Sequence, residues 1–162
     1  KQQFVTKLDS LFKQDPSKIP GAEEIPDVTG LIGLYSHGNE PSHHVAYLYP
    51  YADRRDRTAE IVRQVFDEFY LASRDGLCGN DDCGQMSAWY LFSAMGFYPF
   101  NPSGEGYVIG DAQVKEALIS LPNNKTLRIT SGSSRLPKFN GKPLSGTTIS
   151  HSQIMSGGTL SF

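Results

Sequence analysis

Gly79-Asn80-Asp81-Asp82-Cys83-Gly84-Gln85-Met86-Ser87-Ala88-Trp89-Tyr90 places two adjacent acids on a glycine-flanked turn, directly ahead of an aromatic-rich segment. Met86, Trp89, Tyr90, Phe92 and Met95 predict a packed helix over 85–95, with Gly96 as its stop. Such a turn holds a carboxylate at the mouth of a cleft while the helix behind anchors it. Asp81 and Asp82 are neighbours, so their side chains diverge. One faces a substrate, and the other caps the helix or accepts backbone N–H groups. Spacing alone leaves both acids open to the plain capping role.

A second loop of the same build lies upstream: Ser36-His37-Gly38-Asn39-Glu40-Pro41-Ser42-His43-His44. Pro41 suits the first position of a helix, where its missing N–H costs nothing, and a helix is predicted over 42–51. His43 and His44 would then diverge by ~100° on that helix, leaving one to face the cleft. Glu40 reads as a site residue or as the first-turn acid a helix dipole favours. The two loops are expected to converge on one site.

Further out, Phe4, Leu8, Leu11 and Phe12 predict a helix over 3–13, and Pro16, Pro20, Gly21 and Pro26 an irregular loop over 15–27. Leu31 to Tyr35 is a short apolar run. Ile61, Val65, Phe66 and Phe69 give 54–71 one apolar face. Beyond about residue 103 the character changes. Strands are predicted over 107–109, 116–121, 126–130 and 159–162, with turns at Asn123-Asn124-Lys125 and Asn140-Gly141-Lys142. The order is helices first, then strands: an α+β chain, divided at 1–102 and 103–162.

Net charge is −2 and pI about 6.1, which provides no electrostatic footprint for nucleic acid. No apolar run is long enough for a membrane span, and Lys1-Gln2-Gln3-Phe4 does not read as a signal peptide. Cys78 and Cys83 are the only cysteines. Two free thiols are preferred over a local disulfide, or over a zinc site completed by His37, His43 and His44.

The stretch His37-Gly38-Asn39-Glu40-Pro41-Ser42-His43-His44-Val45-Ala46-Tyr47-Leu48-Tyr49, the Gly79–Tyr90 stretch and Gly96-Phe97-Tyr98-Pro99 resemble glycoside hydrolase family 92, the calcium-dependent, inverting exo-α-mannosidases. The tail agrees, through Asn140-Gly141-Lys142-Pro143-Leu144, Ile149-Ser150-His151 and Gly157-Gly158-Thr159-Leu160. The resemblance implies the last helices of an (α/α)6 toroid followed by strands of a β-sandwich, in a piece of a much longer enzyme. It matches Asp82 to the general base and Asn80 to a position where many members carry an assisting carboxylate, which an asparagine cannot replace in charge. Glu40 matches a residue of the mannose subsite near the calcium, and Asn39 one that varies with linkage preference.

The implied catalytic set is therefore Asp82 and Asn80, and the substrate-binding set Asn39, Glu40, His43 and Asp81. Calcium would be held by Glu40, Asn39 and Asp82. The implied partners are an α-mannoside glycan and the remainder of the parent chain, in an extracellular or periplasmic setting. The family's general acid is a glutamate in an upstream motif, and Glu23, Glu24, Glu60, Glu68, Glu105 and Glu116 sit in no such motif. The chain by itself is expected to lack mannosidase activity. Phe66, Phe69, Trp89 and Phe92 are expected at apolar faces normally covered by neighbouring helices, which favours self-association. Two other readings compete: a non-catalytic carbohydrate-binding or interaction module, and a small metal enzyme using the His and Cys residues.

Overall fold

Val5, Leu8 and Phe12 turn one face of α1 (Gln2–Lys13) into the core, while Phe4, expected on that face, is exposed. The computed structural model describes residues 1–18, 20, 28–104, 106–122, 124–132 and 136–162. Most of the loop predicted over 15–27, and Asn123 of the turn before Lys125, lie outside the described residues. Leu31–Ile32 (β1) and Tyr35–Ser36 (β2) form a short antiparallel hairpin that leads into the histidine loop.

The helix predicted over 42–51 is not an α-helix. The chain instead makes three successive 3-10 turns, Glu40–Ser42, Val45–Tyr47 and Tyr49–Ala52. Tertiary donors explain the difference. The Trp89 indole donates to the His43 carbonyl at 3.1 Å, and the Thr58 hydroxyl donates to the Ala46 carbonyl at 2.7 Å. Those are the carbonyls an α-helix would offer to Tyr47 and Pro50, and Pro50 has no N–H to give.

Arg55–Phe69 (α2) buries Thr58, Ile61, Val62 and Val65. Tyr70 then leaves the helix to form an antiparallel bridge with Leu77. Gln85–Met95 (α3) has the predicted bounds and buries Met86, Trp89, Ser93 and Ala94. Trp89 is fully buried, with Phe66, Phe69 and Phe92 half-buried, so the apolar face expected to be bare is largely covered within this chain. Tyr90, Leu91 and Leu71 are the exposed apolar side chains of this region.

Ten strands run through the described residues. Phe97–Tyr98 (β3), Gly106–Ile109 (β4) and Thr148–Ser150 (β9) form an antiparallel sheet in that order. Glu116–Ser120 (β5), Thr126–Thr130 (β6), Lys138–Phe139 (β7), Lys142–Pro143 (β8) and Gly158–Ser161 (β10) form the second sheet. Its order is β5-β6-β10-β7-β8, and β10 runs parallel to β6. Asn140 and Gly141, both at positive φ, make the predicted turn between β7 and β8. His151–Met155 (α4) begins in a capping box in which Ser150 and Gln153 satisfy each other's backbone N–H groups.

The three-stranded sheet separates two cores. Tyr98 and Val108 face the helical core around Trp89. Their neighbours Phe97 and Ile109 face a second core of Leu127, Ile129, Ile149 and Leu160. Alternation along a strand sends successive side chains to opposite faces, so β3 and β4 join the helical and strand-rich halves. The chain is a mixed helix-and-strand structure.

Candidate active site

Glycine permits the close approach of the two loops. A Cβ on Gly38 would overlap the Thr29 side chain, and one on Gly79 would stand 2.9 Å from Thr29 Oγ1 and 3.8 Å from Gly38 Cα. With both positions bare, 36–44 and 79–84 lie against each other. The Glu40 and Asp82 carboxyls are within hydrogen-bonding reach.

The second loop is bent by three consecutive left-handed residues: Asp82 (φ 47°), Cys83 (φ 56°) and Gly84 (φ 96°). A non-glycine residue pays roughly 1–2 kcal/mol for this conformation, and Asn and Asp tolerate it best. Asp81 fixes the bend. Its carbonyl accepts from the Gly84 and Met86 N–H groups, and its Oδ1 accepts from the Ser87 N–H and hydroxyl at 2.9 and 2.8 Å. Asp81 thus closes the start of α3, while Asp82 is exposed and turned toward Glu40. Asn80 and Asn39 are exposed on their respective loops.

The Asp82 and Glu40 carboxyls shift each other in opposite directions. The hydrogen bond to Glu40 is the main cause that raises the Asp82 carboxyl above its ordinary range. Glu40 is held lower, first by its own backbone N–H and then by the Asp82 bond. A carboxyl moved upward in this way is a better proton acceptor once ionised.

His43 is not at the surface of this site. It is fully buried, with Nε2 donating to the His37 carbonyl at 2.9 Å and Nδ1 accepting from Gln85 Nε2 at 3.2 Å. Both ring nitrogens are engaged, so the substrate-binding role expected of His43 has no free group to serve it. His43 instead braces the loop carrying Asn39 and Glu40 from behind. His37 is buried beside it, the two rings stacked 4.7 Å apart. The Tyr70 hydroxyl donates to the Met86 carbonyl at 2.9 Å and therefore accepts from His37 Nε2 at 2.7 Å. That leaves His37 Nδ1 to accept from the Tyr35 hydroxyl at 2.9 Å. These commitments also leave neither ring a lone pair for zinc, and Cys78 and Cys83 are free thiols.

Burial drives the His37 pKa down from 6.5 to about 3, with the neighbouring His43 adding to the effect. Above pH 6.5 both folded and unfolded chains carry a neutral imidazole. Between pH 6.5 and 3 only the unfolded chain gains the proton. His37 is therefore expected to remove on the order of 1 kcal/mol of stability per pH unit across that window on acidification. Urea midpoints of the chain and of His37→Gln, compared at pH 7 and pH 5, should show a steeper fall for the wild type. Equal pH slopes would remove this role from His37.

Calcium takes about six to eight oxygen ligands. Glu40 and Asp82 supply hard carboxylate oxygens on one spot, and Asn39 adds an amide oxygen on the same loop as Glu40. Among the described residues no group of three or more His, Cys, Asp or Glu side chains could hold a metal. The donor chemistry thus suits calcium, but the set is incomplete and would need loop carbonyls, substrate hydroxyls or further chain to fill it. A cleft of about 1010 Å³ lies elsewhere, lined by Pro50, Arg55, Asp111 and Leu144 among others. None of the expected site residues borders it.

Sequence spacing marks neither Gln85 nor Tyr70, and it marks His37 only as one of the histidines that could complete a zinc site. Gln85 shares the α3 face of Trp89 and Ser93 at four-residue spacing, and a polar residue on a core-facing stripe is the signal that marks it.

The family model described as the glycosyl hydrolase family 92 catalytic domain matches residues 1–162. The chain is 39% identical to a family GH92 alpha-mannosidase of Bacteroides thetaiotaomicron, solved in complex with mannoimidazole. That match has a TM-score of 0.87 and covers 99% of this chain and 22% of that one. A family GH92 inverting mannosidase of the same organism is 31% identical, with a TM-score of 0.78, over 99% of this chain and 24% of that one. A protein of Arthroderma benhamiae named an uncharacterized secreted glycosidase is 30% identical over 133 residues, 76% of this chain and 17% of that protein. The chain thus spans about a fifth of the length of the relatives it matches.

Proposed function

The chain belongs to glycosyl hydrolase family 92, and from that premise we propose that it is the portion of an inverting exo-α-mannosidase that carries the general base. Asp82 accepts a proton from the water that attacks the anomeric carbon. The sugar–oxygen bond breaks on the opposite side, and the leaving oxygen takes a proton from a glutamic acid upstream in the parent chain. The observation that carries this reading is the pairing of the exposed Asp82 carboxyl with that of the half-buried Glu40, on two loops that close against each other.

Glu40 and Asn39 bind the mannose, with Asp81 fixing the Asp82 turn and Asn80 orienting water by hydrogen bonding. Glu40, Asn39 and Asp82 would hold calcium, which when bound supplies positive charge that positions the sugar hydroxyls. About 6.5–9.5 Å separates base and acid in inverting enzymes, leaving room for one water.

We assign 1–102 to the end of an (α/α)6 toroid and 103–162 to strands of a β-sandwich, a division supported by the two cores on either side of β3 and β4. The exposed Leu71, Tyr90 and Leu91 would meet the rest of the parent chain, or a second copy in its absence. The secreted label of the fungal relative favours an extracellular or periplasmic place of work.

Release of mannose from α-mannosides, measured with calcium, tests the proposal. The full-length parent should turn over, the 162-residue chain should not, and the parent carrying Asp82→Asn should be severely impaired. A parent inactive on every α-mannoside would instead favour a carbohydrate-binding module.

A further inference from the structure

Hydrogen bonds run from the peptide of Asp82 to the loop that bears Glu40, and one side chain spans the gap. The Gln85 N–H donates to the Asp82 carbonyl at 3.2 Å. The Gln85 side-chain amide donates to His43 Nδ1 at 3.2 Å. His43 then reaches both ends of the Glu40 loop: its ring donates to the His37 carbonyl at 2.9 Å, and its N–H donates to the Glu40 carbonyl at 3.0 Å. A fourth bond, from Trp89 to the His43 carbonyl, ties the same residue to α3. The bond from Gln85 also decides the His43 tautomer. With Nδ1 accepting, the proton stays on Nε2, where the His37 carbonyl needs it.

We infer that Gln85 is a positioning residue that sets the separation of Glu40 and Asp82 by bridging the Asp82 turn to His43. The inference rests on the mannosidase reading of those two carboxyls. Gln85 itself touches neither the water nor the sugar. Its side chain is a strut of fixed reach, and shortening it or removing its donor lets the two loops shift relative to each other. Groups that orient catalytic and metal-binding side chains from behind typically contribute about 10–100-fold in activity or metal affinity.

The test uses the full-length parent enzyme. Gln85→Met keeps the length and volume but cannot donate. It should lower kcat by about 10–100-fold with KM little changed, and weaken calcium binding by a similar factor in calorimetry. Gln85→Lys, which restores an N–H donor at comparable reach, should recover part of both. Gln85→Asn, which keeps the donor but is one methylene shorter, should fall below wild type and serves if the methionine variant does not fold. Wild-type kcat and calcium affinity in the methionine or asparagine variant would overturn the strut. A lysine variant no better than methionine in both measures would also overturn it. The outcomes separate from those of the mannosidase reading. If Asp82→Asn and Glu40→Gln retain full turnover, that reading fails. If they are dead and Gln85→Met is normal, the strut alone fails.

Discussion

Replacing Asp82 by Asn in the full-length enzyme is expected to lower kcat for mannose release by about 10²–10⁴-fold, the range general-base catalysis supplies. KM should change far less, because the amide keeps the shape of the carboxyl and can still bond to Glu40. Asparagine is the informative substitution here. Asp82 sits at φ 47°, the first of three consecutive left-handed residues, and asparagine tolerates the left-handed region at least as well as aspartate. Alanine would add backbone strain of roughly 1 kcal/mol and mix a folding defect with a chemical one. Steady-state kinetics on both variants separate the effects. An asparagine variant with wild-type kcat would remove Asp82 from the base role.

Trp89→Ala is expected to remove about 3–5 kcal/mol of folding stability through lost packing. The indole is fully buried and contacts His37, His43, Tyr47, Phe66 and Tyr70 in one aromatic cluster. The substitution also leaves the His43 carbonyl without its side-chain donor, a further cost of about 1–3 kcal/mol if water cannot reach it. Against a domain stability of roughly 5–15 kcal/mol, this is a large fraction. Equilibrium urea unfolding should show the loss, with Trp89→Phe intermediate because it keeps most of the ring and lacks only the N–H. A loss below about 1 kcal/mol for the alanine variant would mean the cluster collapses around the gap, contrary to a close-packed core.

The legible parts of the chain are those decided locally. Glycine at 84 and 96 with apolar residues between them marks the bounds of α3, and Asn140-Gly141 marks a turn that only residues tolerant of positive φ can make. The convergence of the two loops was legible from their matching composition. The segment over 42–51 was misread because its helical form depends on Trp89 and Thr58, forty-six and twelve residues away from the carbonyls they reach. His43 was read as a ligand-facing group because its neighbours are polar. Its true surroundings are the interior faces of α3 and of the loop itself, which no spacing rule reveals. The same applies to Phe4, which lost its expected place in the core to Val5.

Of the strands in the described residues β10 is made last, yet it lies at the centre of its sheet, hydrogen-bonded to β6 on one side and β7 on the other. While the chain is still leaving the ribosome, β5–β6 and β7–β8 can exist only as separate hairpins with bare inner edges. They become one sheet when residues 158–161 arrive to fill the slot. Exposed edges of this kind invite mispairing, so a deletion confined to residues 158–161 would leave two open hairpins, vulnerable to proteolysis and aggregation.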